Sequence, residues 1–302
     1  MMLKRIAGQA WLVAALISVG CLASAWAQGP YGPPPMQGQP AAVQAQPVGP
    51  SPSAFMTPQG SARGDAAPQE HPLMPALRWA KAGLPILEGF QDYSAVLVKR
   101  ERVENKLRDP EYMFVRIRHK PFSVYMCFLA PPSVKGTETI YVEGLNNGKM
   151  WAHPPGIQNR LIGTLSLDPR GPIAMHGNRY PITEVGLANL VRRLIEVGER
   201  DAQYGECEVK FIEGAKINDQ VCTCLQVIHP VPRRNFTFNI ARIYVDARTN
   251  MPIRYEAYDW PTTAGGAPQL IEEYTYLDVK VNNGFTDADF DINNPNYQFK
   301  SR

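Results

Sequence analysis

The sequence predicts an α+β fold: a large, curled antiparallel β-sheet, or half-open β-barrel, covered by helices on its concave face. Three observations lead to this prediction. Many short segments alternate apolar and polar residues with the period of two that is typical of strands. Turn residues such as Asn218 and Asp219 separate successive segments, which favours hairpins. One helical segment precedes the series and a second interrupts it, and a sheet of this size is expected to curl.

The first element is a helix over residues 74–90. Leu77, Ala80, Leu84 and Leu87 recur at helical spacing, so this helix is amphipathic. Pro85 is expected to kink it or to split it in two.

The strands follow in two groups on either side of a second helix. This helix is predicted over residues 184–199, with Thr183 as its N-cap and a broad apolar stripe. The strands are predicted over residues 93–103, 111–119, 122–129, 137–143, 149–153, 161–167, 206–217, 220–228, 236–246, 252–260 and 269–281.

The N-terminal residues 1–27 have the features of a secretory signal peptide. A positively charged start precedes an apolar stretch from Ala10 to Ala25, and the small residues Ala25 and Ala27 mark a cleavage site. The stretch is too short, and too interrupted by Gly and Ser, to span a membrane comfortably. A periplasmic or otherwise exported location follows, with lipoprotein anchoring at Cys21 as a minor alternative.

Residues 28–72 are predicted to be a disordered linker. They are rich in Pro, Gln, Ala and Gly, a composition that buries too little apolar surface to offset chain entropy. Docking of this Pro-rich segment to a partner is the alternative. Residues 73–302 suffice for one domain with a full core, which is predicted to be the half-barrel.

The charge balance argues against a nucleic-acid partner. The chain has 31 Lys and Arg residues against 28 Asp and Glu residues, a formal net charge of +3 at pH 7. Lys4 and Arg5 leave with the signal peptide, so the mature chain is close to neutral. It lacks the basic footprint of nucleic-acid-binding proteins.

Patterns typical of catalytic and metal sites are missing from the sequence. None of the five histidines lies at metal-ligand spacing from another, and neither a Gly-x-Ser-x-Gly motif nor a Gly-rich phosphate loop occurs. Residues 287–293 resemble the start of a calcium loop but lack its Gly and its final Glu, so acidic capping of a turn is favoured. The sequence predicts no enzyme, no cofactor and no metal.

Four cysteines remain after export. Because an exported protein meets an oxidising compartment, one disulfide is expected, joining Cys207 to Cys222 or to Cys224. The pairing is left open between these two, and neither pairing is required by the sequence.

The apolar faces of the predicted strands are the main candidate for a binding site. Ordinary core packing under the second helix is one interpretation, and an apolar cavity larger than the helices can fill is the other. The cavity would be lined by Val96, Val98, Val115, Ile117, Val124, Met126, Phe128, Ile140, Val142, Ile243 and Val245.

Two charged stretches lie on predicted strands, residues 99–102 and the pair Glu272 and Glu273. An exposed strand face is the favoured interpretation. A polar mouth around the cavity is the alternative.

Several motifs in order resemble a bacterial family of domains of unknown function, the one numbered fifteen seventy-one. The resemblance spans about residues 84–299 and is carried by residues 92–93, 99–103, 118–125, 135–141, 167–169, 180–183, 252–256, 272–274 and 286–290. That family looks like a distant member of the superfamily of lipoprotein-localisation carriers (LolA/LolB-like). The resemblance implies a half-open antiparallel barrel, closed by helices, around an apolar cavity. It implies no ligand and no site residue.

Pattern and resemblance together predict an exported, non-enzymatic binding protein. It would hold a lipid or the acyl chain of a lipoprotein in an apolar cavity, as a carrier or a sensor. Its partners would be a lipid or an acylated protein, and an envelope protein or peripheral contact with a membrane is also compatible. The alternative is a structural or protein-interaction module of the cell envelope, with a filled barrel and no ligand.

Overall fold

The computed structural model describes residues 70–155 and 163–299. The predicted signal peptide, including Cys21, and the predicted linker up to residue 69 lie outside the described residues. The described helices are α1 (Met74–Gly89), α2 (Pro172–Met175) and α3 (Leu187–Asp201). The strands are β1 (Asp92–Val103), β2 (Lys106–Leu107), β3 (Glu111–Arg118), β4 (Ser123–Ala130), β5 (Glu138–Val142), β6 (Met150–His153), β7 (Leu165–Leu167), β8 (Glu208–Ile217), β9 (Gln220–Ile228), β10 (Ile240–Asp246), β11 (Pro252–Asp259) and β12 (Gln269–Val281).

All twelve strands belong to one sheet with the order β7-β6-β5-β4-β3-β1-β12-β11-β10-β9-β8, and β2 extends β1. The long pairing of β1 with β12 joins the two halves of the chain. Within the described residues β7 and β8 do not pair, so the sheet is open. The prediction of a large antiparallel sheet is confirmed. Its curling, and the concave character of the face beneath the helices, stay predictions.

Helices α1 and α3 pack against one face of the sheet, called the helix face below. Because side chains alternate along a strand, Tyr93 and Leu97 of β1 point to this face. They share a hydrophobic cluster with Leu87 of α1 and with Leu187 and Val191 of α3. The amphipathic stripes predicted from the sequence therefore meet the sheet.

The boundaries of the helices differ from the prediction in two places. Helix α1 runs through Pro85 without being divided. Helix α3 begins at Leu187 rather than at residue 184, after a short 3-10 turn over Ile182–Glu184. Gly186 stands at its N-cap with φ +121°, and the Tyr93 hydroxyl accepts the Leu187 N–H at 2.8 Å. A side chain from β1, rather than Thr183, thus satisfies the helix start.

Replacing Gly186 with Ala is expected to lower the free energy of unfolding by about 1–3 kcal/mol. The positive φ disfavours an L side chain, and the new Cβ would lie 3.0 Å from the Tyr93 hydroxyl and 3.5 Å from Ile117 Cδ1. Denaturant titration measures the change. Gly205→Ala is the control, since nothing lies within 4 Å of its Cβ position. Equal stability of the two variants would contradict the account of the helix start.

The C-terminal segment, residues 285–299, packs against the opposite face of β3, β4 and β5, called the tail face below. Phe290 and Phe299 join Phe114 and Ile140 in one cluster. The ring of Tyr297 stacks on that of Tyr125, with centroids 4.1 Å apart. Strand β4 is therefore apolar on both sides because helices cover one side and the chain's own C-terminal segment covers the other.

The turn that starts this segment is held by a buried carboxylate. Asp92 accepts hydrogen bonds from the backbone N–H groups of Asn283, Gly284 and Phe285 at 2.6, 3.0 and 2.9 Å. A capping box of Thr286 and Asp289 then opens the 3-10 turn Asp287–Phe290. The acidic residues after Thr286 thus cap a turn, as the sequence favoured.

Candidate functional site

A pocket of about 550 Å³ lies between α3, residues 174–186 and the helix face of the sheet. It is called the main pocket below. One of its walls is apolar and rich in sulfur, being formed by Leu97, Met113, Met126, Phe128 and Met150. These side chains come from four strands, β1, β3, β4 and β6. Methionine side chains are flexible and polarisable, so such a wall adapts to ligands of different shape.

A neighbouring part of the main pocket is polar and is built from paired charges. Glu101 and Glu272 are only 3% and 5% exposed, and they sit on the neighbouring strands β1 and β12. The Tyr274 hydroxyl donates a short hydrogen bond to Glu101, and its oxygen lies 3.4 Å from a Glu272 carboxylate oxygen. Lys99 pairs with Glu111 at 2.9 Å and lies 3.7 Å from Glu101.

These strand side chains hold residues 178–180, called the strap below, across the sheet. The Arg179 guanidinium donates to Glu272 at 2.7 Å, and its backbone N–H donates to Glu101 at 3.0 Å. The Tyr180 hydroxyl donates to Glu272 at 3.1 Å, and Lys99 donates to Asn178. The strap therefore closes the polar part of the pocket through hydrogen bonds to two buried carboxylates.

The electrostatics of this cluster follow from its burial. Burial raises the pKa of Glu272, although the Arg179 charge and the Tyr180 hydroxyl oppose the change. Burial also raises the pKa of Tyr180 to about 12, so its hydroxyl stays protonated and donates. The strap contacts therefore favour the ionised form of Glu272 against the effect of its burial. The main pocket thus combines an adaptable apolar wall with polar side chains that are hydrogen-bonded to one another.

A second, smaller pocket of about 110 Å³ lies beneath α1 and is called the inner pocket below. Leu77 and Leu87 of α1, Val191 of α3, and Ile243 and Val245 of β10 are among its lining residues. Nearly all of its lining is apolar.

Residues 90–299 match a family described as "Protein of unknown function (DUF1571)". The chain belongs to this family. The family predicted from the motifs is therefore confirmed, and the matched residues form both pockets apart from Leu73 and α1. Among curated proteins, none is a significant match to the chain.

Several solved structures are similar to this DUF1571 chain at low identity. A LolA superfamily protein from Nitrosomonas europaea is 12% identical over 70% of this chain and 97% of its own, with a TM-score of 0.30. The lipoprotein LppX from Mycobacterium tuberculosis is 11% identical over 70% and 98%, with a TM-score of 0.40. LprF from Mycobacterium bovis is 12% identical over 72% and 97%, with a TM-score of 0.38. At these values the likeness assigns no function to the chain.

The structure divides the predicted cavity residues among four places. Met126 and Phe128 line the main pocket, and Ile243 and Val245 line the inner pocket. Val115, Ile117 and Val124 lie on the helix face and are fully buried in the cluster under the helices. The remaining four, Val96, Val98, Ile140 and Val142, lie on the tail face. The strand register places Val96 and Val98 there, and Ile140 and Val142 belong to the cluster that includes the C-terminal segment.

The last four residues line neither pocket because the strand register directs their side chains to the other face of the sheet. Val96 pairs with Phe114, and Ile140 pairs with Tyr125, so both point away from Leu97 and Met126. A strand that is apolar on both faces gives no sign in its sequence of which face the helices cover.

The pocket residues that sequence reasoning missed carried a weak signal. Leu97 lies between Val96 and Val98 on β1, and its own apolar character did not distinguish its face from theirs. Met150 lies on a strand of only four residues, which is too short for a clear alternation. The charged stretches carried a clearer signal. Lys99, Glu101 and Glu272 line the main pocket, as the polar-mouth alternative described. Because side chains alternate along a strand, Lys99 and Glu101 could have been assigned to the same face of β1 as Leu97.

The four described cysteines are free in the structure. Cys207 packs against the cluster that contains Leu225 and Val227. Cys224 precedes Leu225 on β9, so its side chain lies on the other face of the sheet, next to that of its β10 partner Tyr244. The expected pairing of Cys207 with Cys222 or Cys224 therefore does not form in this arrangement, because the sheet separates the thiols.

Within residues 70–155 and 163–299, no three His, Cys, Asp or Glu side chains are grouped so as to hold a metal ion. In the same part of the chain no helix combines the length and the apolar character needed to cross a membrane.

Proposed function

We propose that this protein is an exported, non-enzymatic binding protein that holds a lipid, or the acyl chain of a lipoprotein, in the main pocket. The observation that supports the proposal is the apolar wall formed by Leu97, Met113, Met126, Phe128 and Met150 beside an unfilled volume of about 550 Å³. Pockets that bind small molecules have volumes of roughly 300–1,000 Å³ and mostly apolar linings.

Binding would be driven by the removal of apolar surface from water. This contributes about 25 cal/mol for each Å² buried, before the costs of association are subtracted. The methionines of the wall suit an acyl chain, because they repack around a ligand that has no fixed shape. The polar end of the ligand would lie near Lys99 and Arg179, which line the same pocket.

The polar cluster supports a role in binding rather than in catalysis. Glu101 and Glu272 already accept hydrogen bonds from the strap and from Tyr274. A general base needs an acceptor that can reach its substrate. These carboxylates are engaged in holding residues 178–180 in place, and a strap that opens would admit the ligand.

The proposed location is the periplasm, on the basis of the predicted signal peptide. The ligand would then be a membrane lipid or an acylated envelope protein, received during peripheral contact with a membrane. The proposal also requires that the helix face be the concave side of a curled sheet, so that the helices act as its cover.

A second candidate is a protein-interaction module of the cell envelope, and the edge strand β8 favours it. Phe211 and Ile212 of β8 and Val221 of β9 are 46%, 38% and 48% exposed. An edge strand with exposed apolar side chains is a surface on which another chain can pair. In this case the pockets would hold no ligand.

The test is native mass spectrometry of the mature protein, purified without detergent from a host that exports it. We expect an added mass that organic extraction removes and that is identified as lipid. In Ala174→Trp the new ring would enter the main pocket, which Ala174 lines. Lipid occupancy should fall about tenfold, since each methylene left in water costs roughly 0.8 kcal/mol.

Ala264→Trp is the matched control, because Ala264 is exposed on the loop between β11 and β12. It should keep the wild-type occupancy. A wild-type protein free of lipid, and unchanged by incubation with phospholipids and acylated peptides, would reject lipid binding. The interaction module would then be the better description.

A further inference from the structure

The main and inner pockets are adjacent beneath helix α3. Leu194 and Val197 of α3 and Phe238, two residues before β10, line both pockets. These three residues are called the neck below. Two spaces with three lining residues in common are neighbours on either side of the neck, and α3 is the wall above them.

The side chains of α3 at the neck do not fill the space under the helix. Leu190, Leu194 and Val197 pack against the hydrophobic cluster that contains Leu225 and Val227, yet each is only partly buried. Apolar side chains between a helix and a sheet are ordinarily close-packed and lose almost all exposure. All three side chains line the main pocket, and Leu194 and Val197 line the inner pocket as well.

The two pockets differ in polarity. The main pocket contains the paired charges of Lys99, Glu101, Arg179 and Glu272. In the inner pocket, Asp201 is the one charged residue among the lining residues, and it is 1% exposed. An amphipathic molecule would therefore leave its polar end in the main pocket and extend its apolar end through the neck.

We propose that a single acyl chain runs from the main pocket, through the neck under α3, into the inner pocket, so that the protein selects long-chain acyl groups over short ones. The inference rests on the proposed function, since it names the class of lipid that the same site takes. A short chain would be accommodated in the main pocket alone. A long chain would bury its terminal methylenes against Leu77, Ile243 and Val245.

Gly83 allows the inner pocket to be filled without disturbing the rest of the chain. It lies within α1, it lines the inner pocket, and nothing lies within 4 Å of the position of an added Cβ. Gly83→Phe would place a ring in that space. Loss of a glycine from a helix interior also favours the helix, so the variant is expected to fold.

Gly89 provides the matched control. It ends the same helix, nothing lies within 4 Å of its Cβ position, and it does not line either pocket. Gly89→Phe adds the same ring to α1 outside the proposed path. Dissociation constants of palmitate and octanoate are measured for the wild type and both variants by titration calorimetry, with native mass spectrometry for stoichiometry.

The wild type is expected to bind palmitate, one molecule per chain, more tightly than octanoate. Gly83→Phe should weaken the binding of palmitate about tenfold, since each methylene removed from water contributes roughly fourfold in affinity. It should leave octanoate unchanged, and Gly89→Phe should leave both unchanged. Equal weakening of the two acids, or no weakening of either, would overturn the path under α3 while lipid binding stands. Failure of the wild type to bind any acyl chain would reject the proposed function together with the path.

Discussion

Arg116→Ala is expected to lower the free energy of unfolding by about 3 kcal/mol and to release the C-terminal segment from the sheet. Arg116 lies on β3 at the tail face and is only 7% exposed. Its guanidinium donates to Asp289 at 3.2 Å and to the Tyr297 hydroxyl at 2.7 Å. It also lies 5.4–5.8 Å from the centroids of four aromatic rings, those of Phe114, Tyr125, Phe285 and Tyr297.

The size of the effect follows from what the side chain leaves behind. Hydrogen bonds to charged groups contribute about 1.5–3 kcal/mol, and a desolvated cation over an aromatic face contributes roughly 1–2 kcal/mol. Removal of one partner of a half-buried pair also leaves the Asp289 carboxylate without its cation. Denaturant titration gives the stability, and limited proteolysis should show faster cleavage within residues 285–299.

Two further variants make the test specific. Arg170→Ala removes an ion pair with Glu184 in which the two side chains are 69% and 31% exposed, and it should cost less than about 1 kcal/mol. Arg116→Lys keeps the charge but loses the planar contact with the rings, so its loss of stability should lie between those of Arg116→Ala and Arg170→Ala. If Arg116→Ala were as stable as Arg170→Ala, the tail would be held by its apolar residues alone.

The stability of the wild-type protein is expected to decrease as the pH falls below about 6.5, and His229→Gln should remove this decrease. His229 and Asp201 are 0% and 1% exposed, and His229 Nε2 lies 3.7 Å from Asp201 Oδ2. The ring of His229 stacks on that of Phe236, with centroids 3.9 Å apart. Burial lowers the pKa of His229, and Arg200 and His71 add to this, while Asp201 opposes it.

The sign of the effect is fixed by the direction of that pKa change. A histidine with a lowered pKa in the folded state contributes stability that is complete above its unfolded pKa, near 6.5, and that is lost as the pH falls through the folded pKa. For one proton the slope is at most about 1.4 kcal/mol per pH unit. Burial raises the pKa of Asp201, so its own contribution is present at low pH and is lost as the pH rises through the folded pKa.

Unfolding by denaturant at a series of pH values between neutral and acidic measures this slope. His176→Gln is the matched control, because His176 is exposed. It should retain the wild-type dependence, whereas His229→Gln should flatten the curve just below pH 6.5. A wild-type curve that rises on acidification through this range would show that Asp201, not His229, dominates the pair.

Much of the fold could be predicted from the periodicity of the sequence. The alternation in residues 111–119 and 269–281 predicted β3 and β12 closely, and the stripe on α3 predicted a helix lying on the sheet. These local patterns are reliable because burial of one face selects side chains at a fixed spacing. The helix start at Leu187 was missed because its cap comes from Tyr93, about ninety residues earlier in the chain.

The candidate site was predictable only in part. Met126 and Phe128 were identified from the alternation of apolar residues along the predicted strand, and both line the main pocket. Ile140 and Val142 have the same apolar character, but they pack against the C-terminal segment on the other face of the sheet. Whether an apolar side chain faces a pocket or a packed core depends on what covers it, and that covering is distant in sequence.

The sequence by itself determined the period of each strand, the amphipathic helices and the membership of the DUF1571 family, because these depend on neighbouring residues and on ordered motifs. Only the tertiary structure decided which face of β4 meets the helices, and which charges of β1 and β12 meet the strap. The physical reason is that the antiparallel pairing of β1 with β12 brings Glu101 opposite Glu272 across a long stretch of chain. No local pattern encodes that pairing, because the hydrogen bonds that make it are identical for every pair of strands.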